Sequence, residues 1–202
     1  MRRIRHWTPR YLVNRLRVLA YQRWHPEAPW LTRDMIELLG PRLTGAHRGL
    51  EWGAGRSTLW LAARLGSLVS VEHDETYYGR VRAQLEHRSL RNVELRCCPA
   101  ETDYVAVADS LPRESLGFVL VDGLARDLCA LAALPRLKPG GLLVLDNINW
   151  YLPCSSRAPD SRRPQDGPAS EAWGRFAAAV KTWECHWTSN GVWDTSLWVK
   201  PG

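Results

Sequence analysis

Long hydrophobic runs are missing from this chain of 202 residues. No stretch of eighteen apolar residues occurs, so no membrane-spanning helix is expected, and the first thirty residues lack the apolar core of a secretory leader. The expected setting is a soluble protein of the cytoplasm. Cysteine is sparse: Cys97, Cys98, Cys129, Cys154 and Cys185 are odd in number and show no C-x-x-C spacing. Neither a disulfide framework nor a zinc site is suggested, and small buried or incidental thiols are the plainer reading. Lysine is scarce too, since 24 of the 27 basic residues are arginine. The net charge of +6 therefore does not by itself indicate nucleic acid, whose phosphates need a clustered basic face. With 45% hydrophobic and 24% charged residues, the chain falls outside the disordered class and suffices for one domain with a substantial core.

A third glycine is also lacking from the most informative stretch, Leu50-Glu51-Trp52-Gly53-Ala54-Gly55-Arg56-Ser57-Thr58. The dinucleotide pattern G-x-G-x-x-G would place it at Thr58. A pyrophosphate, moreover, has no use for a carboxylate at Glu51, whereas a cationic or zwitterionic ligand does. Nineteen residues past Gly53 stands Glu72, ending the apolar run Leu68-Val69-Ser70-Val71, where an acid can take two ribose hydroxyls. The layout reads as strand, glycine turn, helix, strand.

Glu-x-Gly-x-Gly followed by an acidic second strand resembles motif I of the class I S-adenosylmethionine-dependent methyltransferases. Pro29-Trp30-Leu31-Thr32, Ser70-Val71-Glu72-His73-Asp74, Val121-Asp122-Gly123 with Arg126 and Cys129, and Leu137 to Leu142 followed by Asp146-Asn147 extend the likeness over residues 29 to 199, toward a bacterial branch acting on small molecules. The resemblance implies an α/β, Rossmann-like fold: a seven-stranded, mostly parallel sheet with a C-terminal antiparallel hairpin and helices on both faces. It implies S-adenosylmethionine as cofactor, held by Glu51 at the ammonium, by the turn Gly53, Ala54, Gly55 with Ser57 and Thr58, by Glu72 and His73, and by Ala100, Glu101 and Asp122. Residues 1–45 are expected to form a helical extension packed on a cofactor domain of residues 46–202.

The pattern along the chain is consistent with that layout. The first 23 residues cluster Arg2, Arg3, Arg5, Arg10, Arg15, Arg17 and Arg23, and from Pro9, Leu12, Leu16, Leu19 and the stem of Arg23 recur at helical spacing, an amphipathic helix with a basic outer face. Such a helix could pack on the domain, cover the acceptor or form a homodimer, or serve as a nucleic-acid or membrane arm. After Pro26 and Pro29, Thr32 is placed to cap a helix carrying Met35, Leu38, Leu39 and Leu43. Trp30 reads more as core packing than as a cleft wall. Strands are expected at 50–52, 68–72, 92–97, 118–121 and 142–145, the last entered through a Lys138-Pro139-Gly140-Gly141 turn, with helices at 58–65, after the Asp74 cap, and at 126–134. Residues 149–168 read as a long loop, a lid ordered on binding or plain disorder. Trp173, Phe176 and Val180 mark a further helix. A hairpin about Asn190-Gly191 follows, with Trp183, Trp187 and Trp193 sharing one packed face.

Methyl transfer needs an aligned acceptor and, for a hydroxyl, a base. Asp122, Asp146 and Asn147 match the carboxylate, carboxylate, amide metal site of catechol-type O-methyltransferases, a hard-oxygen set suited to Mg²⁺. Gly123-Leu124-Ala125-Arg126 departs from those enzymes, however, and Arg126 stands one helical turn past Asp122, able to replace a cation. The expected catalytic residues are Asp122, Arg126 and Asp146, with no metal favoured; Asn147, Trp150 and Tyr151 are expected at the acceptor. The favoured partner is a small-molecule methyl acceptor, methylated on oxygen in a biosynthetic pathway. A nucleic-acid methyltransferase is less favoured, because amino-group chemistry on bases calls for an Asn-Pro-Pro-Tyr-like tetrapeptide where Asp122-Gly123-Leu124-Ala125 stands. A non-catalytic Rossmann-like binding protein is the remaining alternative.

Overall fold

The computed structural model describes residues 8–202, so Arg2, Arg3, Arg5 and Trp7 lie outside the described residues. The elements are α1 (Pro9–Trp24), α2 (Arg33–Leu39), β1 (Arg48–Trp52), α3 (Arg56–Ala62), β2 (Ser67–Glu72), α4 (Glu75–His87), β3 (Val93–Cys97), α5 (Glu101–Ala106), β4 (Leu116–Val121), α6 (Arg126–Ala133), β5 (Leu137–Asp146), α7 (Glu171–Ala179), β6 (Glu184–Ser189) and β7 (Asp194–Val199). The seven strands form one sheet in the order β3-β2-β1-β4-β5-β7-β6. Strands β1 to β5 pair in parallel, while β7 is antiparallel to both β5 and β6. The strand order reverses between β1 and β4, and a doubly wound sheet opens a crevice beyond the carboxyl ends of its strands at that point.

Alternation along the strands sorts the core onto two faces. Trp52, Val71, Val121, Leu145 and Trp198 face one way and pack with Tyr104 of α5, Ala130 of α6, and Trp173 and Phe176 of α7. Phe118, Leu120, Val144 and Leu197 face the other and meet Met35 and Leu39 of α2 with Trp60 and Leu61 of α3. Helix α4 adds a smaller cluster through Val81 and Leu85. No helix among the described residues is long and apolar enough to cross a membrane.

Several expectations are corrected. Leu12, Leu16 and Leu19 of α1 stand in solvent, Leu16 at 66% exposure. The buried residue of the helix is Val18, because α1 meets the polar β6–β7 turn: a Cβ on Gly191 would lie 2.0 Å from Asn14 Nδ2. Thr32 precedes α2 but makes no side-chain cap; its hydroxyl lies 2.5 Å from that of Thr188. Helix α3 ends at Ala62 instead of Leu65. The Lys138–Gly141 turn is a bulge inside β5: pairing with β4 jumps from Leu116↔Leu137 to Phe118↔Leu142, while Gly140 N–H donates to Lys200 O and Lys200 N–H to Gly141 O, both at 2.9 Å. Helix α5 was not anticipated.

The 149–168 segment is neither open nor irregular throughout. Arg162 N–H donates to Asn149 O (2.9 Å), Cys154 N–H to Arg162 O (3.0 Å) and Ala169 N–H to Tyr151 O (2.8 Å). Asn149, fully buried, donates through Nδ2 to Ser161 Oγ (3.0 Å) and to Pro159 O (3.3 Å), and accepts from Asp194 N–H (3.0 Å). One side chain thus ties the loop to the start of β7. Trp193 leaves the packed face expected of it and lines a cavity between α1 and this loop, whereas Trp198 joins the core.

Candidate active site

The turn after β1 sits at the switch point. Gly53 adopts φ +97°, and a Cβ there would lie 2.9 Å from the Asp122 carbonyl carbon and from Gly123 N. Only glycine lets β1 and β4 end this close together. Beneath the turn Glu51 is fully buried, with Oε2 accepting from the Thr58 and Ser70 hydroxyls at 2.6 Å each. Thr58 Oγ1 in turn accepts from Gly55 N–H at 2.8 Å. Burial pushes the Glu51 carboxyl up to about 7, against the opposing influence of the Ser57, Ser70 and Thr58 hydroxyls, and Asp122 raises it further. Oε1 of Glu51 is buried without a hydrogen-bond partner among the described residues.

A cleft of about 420 Å³ opens above the turn, lined by Gly53 to Ser57, Glu72, His73, Asp74, Asp122 and Gly123, with Trp30 and Tyr77 as walls. That volume lies in the range of about 300–1,000 Å³ usual for small-molecule sites. Oε1 of Glu72 accepts from the backbone N–H groups of His73 (2.8 Å) and Asp74 (2.9 Å); His73 Nδ1 also lies 2.8 Å from it, without hydrogen-bond alignment. Fixing one oxygen in this way orients the carboxylate and leaves Oε2 without a hydrogen bond among the described residues. Trp30, expected in the core, is 55% exposed, with Arg56 5.6 Å from its ring centre. Its seat is set by its neighbour: Thr32 N–H donates to Thr195 Oγ1 (3.2 Å), and that hydroxyl donates to Asp146 Oδ1 (2.5 Å).

Arg126, at the start of α6, straps the ends of β4 and β5 together. Nη2 meets Asp122 Oδ1 at 2.9 Å and donates to Asp122 O at 2.9 Å. Nε donates to Gly123 O (3.0 Å), and Nη1 to Asp146 O (2.6 Å) and Asn147 Oδ1 (3.1 Å). Burial raises the Asp122 carboxyl above its ordinary range despite Arg126. Asp146 is driven well up by burial and then by the nearby Asp122 charge. Of the three-oxygen set, Asp122 Oδ1 and Asn147 Oδ1 face the guanidinium and Asp146 Oδ1 accepts from Thr195, so Arg126 occupies the place in which a divalent cation would need these oxygens.

The remaining expected residues divide. Ala54, Gly55, Ser57 and His73 line the cleft, and Thr58 and Glu51 support it from beneath instead of facing it. Ala100 and Glu101 begin α5 at the rim, exposed, outside the cleft lining. Trp150 and Tyr151 line neither the cleft nor the large cavity; Tyr151 stacks on Trp173, centroids 4.9 Å apart, and lies 6.0 Å from the Arg126 guanidinium. Asn147 serves Arg126. Tyr77, which sequence reading missed, carried one signal: it stands in the first turn of the helix after the acid-ended strand.

The fold is Rossmann-like, with a cleft at the β1–β4 switch point. Residues 50–148, from β1 to just past β5, match the family model of a methyltransferase domain. An O-methyltransferase from Bacillus cereus solved with S-adenosylhomocysteine superposes with a TM-score of 0.62 at 18% identity, over 93% of this chain and 90% of that one. TomG from Streptomyces achromogenes, an O-methyltransferase of tomaymycin synthesis solved with S-adenosylmethionine, gives 0.59 at 23% identity over 82% and 77%. At these identities the likeness is one of fold. No curated protein matches the chain.

Proposed function

We propose that the protein methylates a hydroxyl oxygen of a small biosynthetic molecule without a metal. The observation that carries this reading is the pairing, at the end of β4, of a proton-attracting carboxylate, Asp122, with a guanidinium held by the ends of both β4 and β5. The two superposed enzymes named above are O-methyltransferases, which supports oxygen as the target.

The cleft fits the cofactor: the Gly53 turn allows close approach, Glu72 Oε2 remains to accept ribose hydroxyls, and Trp30 and Tyr77 offer flat walls. When bound, S-adenosylmethionine supplies an activated methyl group. Asp122 accepts the acceptor's hydroxyl proton, its raised affinity for protons suiting it to the task. Arg126 is the positioning residue that aims it. Glu51 holds Thr58 against Gly55 and sets a negative charge beneath a cationic ligand, so it acts through the turn and not by touching the ammonium. Asp146 holds Thr195, and through it Thr32 and the Trp30 wall.

The test is tritiated-methyl transfer to a panel of hydroxylated small molecules, with and without a chelator. Transfer that survives chelation and falls at least a hundredfold in Asp122→Asn, with S-adenosylhomocysteine affinity kept, is the expected result. Loss of transfer in the chelator with rescue by Mg²⁺ contradicts it.

A further inference from the structure

A second, larger cavity of about 980 Å³ opens on the same rim, between α1, the 156–163 loop and the β6–β7 turn. Pro29 and Leu31 line it, while Trp30 between them lines the cofactor cleft, so the two sites share a wall three residues long. We propose that this cavity binds the methyl acceptor and that the acceptor is an anion, carrying a phosphate or carboxylate beside an aromatic or sugar ring. The proposal rests on the methyltransferase reading of the adjoining cleft.

The two sites are opposite in charge. The cofactor cleft is lined by three acids, Glu72, Asp74 and Asp122, and one arginine, Arg56, a balance suited to a ligand with a positive sulfur. The cavity is lined by Arg10, Arg17, Arg33, Arg157 and Arg163 against one acid, Asp160. Arg33 is paired with Glu37, and Arg163 donates to Ser156 O. Arg10, Arg17 and Arg157 have no ion pair among the described residues. On a protein with a net charge of +6, exposed arginines are common; arginines ringing a concave site with one acid among them focus a positive potential into it. Guanidinium groups are suited to phosphate and carboxylate, which they can grip through two parallel bonds.

The cavity also offers surfaces for a ring. Tyr11, Tyr21 and Trp193 line it, flat or amphipathic rings against which a ligand ring can stack. An acceptor with its anion among Arg17 and Arg157 and its ring beside Trp193 would extend its hydroxyl past the Trp30 wall toward Asp122. Negative charge on the acceptor also complements the positive cofactor across that wall.

The probe is phenyl phosphate, titrated calorimetrically into the protein with and without S-adenosylhomocysteine, and benzyl alcohol is its uncharged counterpart. Phenyl phosphate should bind at millimolar concentration or below, benzyl alcohol at least tenfold more weakly. The Arg17→Ala/Arg157→Ala protein should lose about tenfold in phenyl phosphate affinity, with unchanged circular dichroism and S-adenosylhomocysteine affinity, and Arg17→Lys/Arg157→Lys should recover part of it. Equal binding of the two probes, or no loss in the double variant, overturns the proposal. A ten-residue oligothymidylate that binds through the same arginines more tightly than phenyl phosphate overturns it too, in favour of nucleic acid. If S-adenosylhomocysteine fails to bind wild type, the methyltransfer reading of the cleft falls, while the phenyl phosphate result still decides the cavity.

Discussion

Replacing Arg126 with Ala should destabilise the protein by an amount that depends on pH. The guanidinium holds the Asp122 carboxylate and four further oxygens, at 2.6 to 3.1 Å. Its own side chain is 14% exposed and that of Asp122 26%. Removing one member of a buried ion pair typically costs about 3–5 kcal/mol. Because water reaches a quarter of the Asp122 carboxyl, that range must be discounted, leaving about 2–3 kcal/mol at pH 8. The sign with pH follows from Asp122. Its carboxyl already lies above its ordinary range in the folded protein, and without Arg126 it rises further. The folded variant then holds its proton where the unfolded chain has released it, so the deficit is smallest near pH 4 and grows as pH rises through the folded value. Urea unfolding of wild type and Arg126→Ala at pH 4.5, 6 and 8 measures this directly, and Arg126→Lys, a single point charge, should recover less than half. A deficit below about 0.5 kcal/mol at pH 8, or one that shrinks as pH rises, would refute the strap.

Other outcomes follow from the same geometry. Glu72→Ala should weaken S-adenosylhomocysteine binding by about 1.5–3 kcal/mol by calorimetry, through loss of charge-assisted bonds to the ribose; unchanged affinity in a folded variant would contradict that role. Glu51, held near 7 by burial, binds its proton more tightly folded than unfolded, so it subtracts stability as pH climbs from about 4.5 through 7. Glu51→Gln should flatten that part of the stability profile by about 1–3 kcal/mol, and a profile of unchanged slope argues against a buried, raised carboxyl. Asn149→Ala should cost about 2–3 kcal/mol in urea unfolding and speed proteolysis between residues 153 and 168, because it frees the Asp194 N–H and both loop anchors. Stability within 0.5 kcal/mol of wild type would mean the loop is held otherwise.

The sheet and the turn were legible because they depend on local rules: continuous apolar runs for buried parallel strands, and glycine where β1 and β4 approach. Glu72 was legible for the same reason, being a strand end. What escaped depends on partners distant in sequence. Leu12, Leu16 and Leu19 have helical spacing, but spacing cannot say which face a helix turns to a polar rim, and Asn14 against Gly191 decides it. Trp30 reads as core by its size, yet the Thr32–Thr195–Asp146 chain seats it at the cleft. Glu51 is expected at the ligand's ammonium through the resemblance; what the sequence does not show is that Thr58 and Ser70 hold one of its oxygens beneath the turn. The 149–168 loop looked open by composition because its anchor, Asn149, is a single residue whose partners lie up to 45 positions away.

The most direct test is a crystal structure of the protein with S-adenosylhomocysteine. The ribose hydroxyls should lie within hydrogen-bond distance of the Glu72 carboxylate, the amino-acid end over the Gly53–Gly55 turn, and the sulfur should face Asp122. A nucleoside bound elsewhere, or a ribose that leaves Glu72 untouched, would contradict the account.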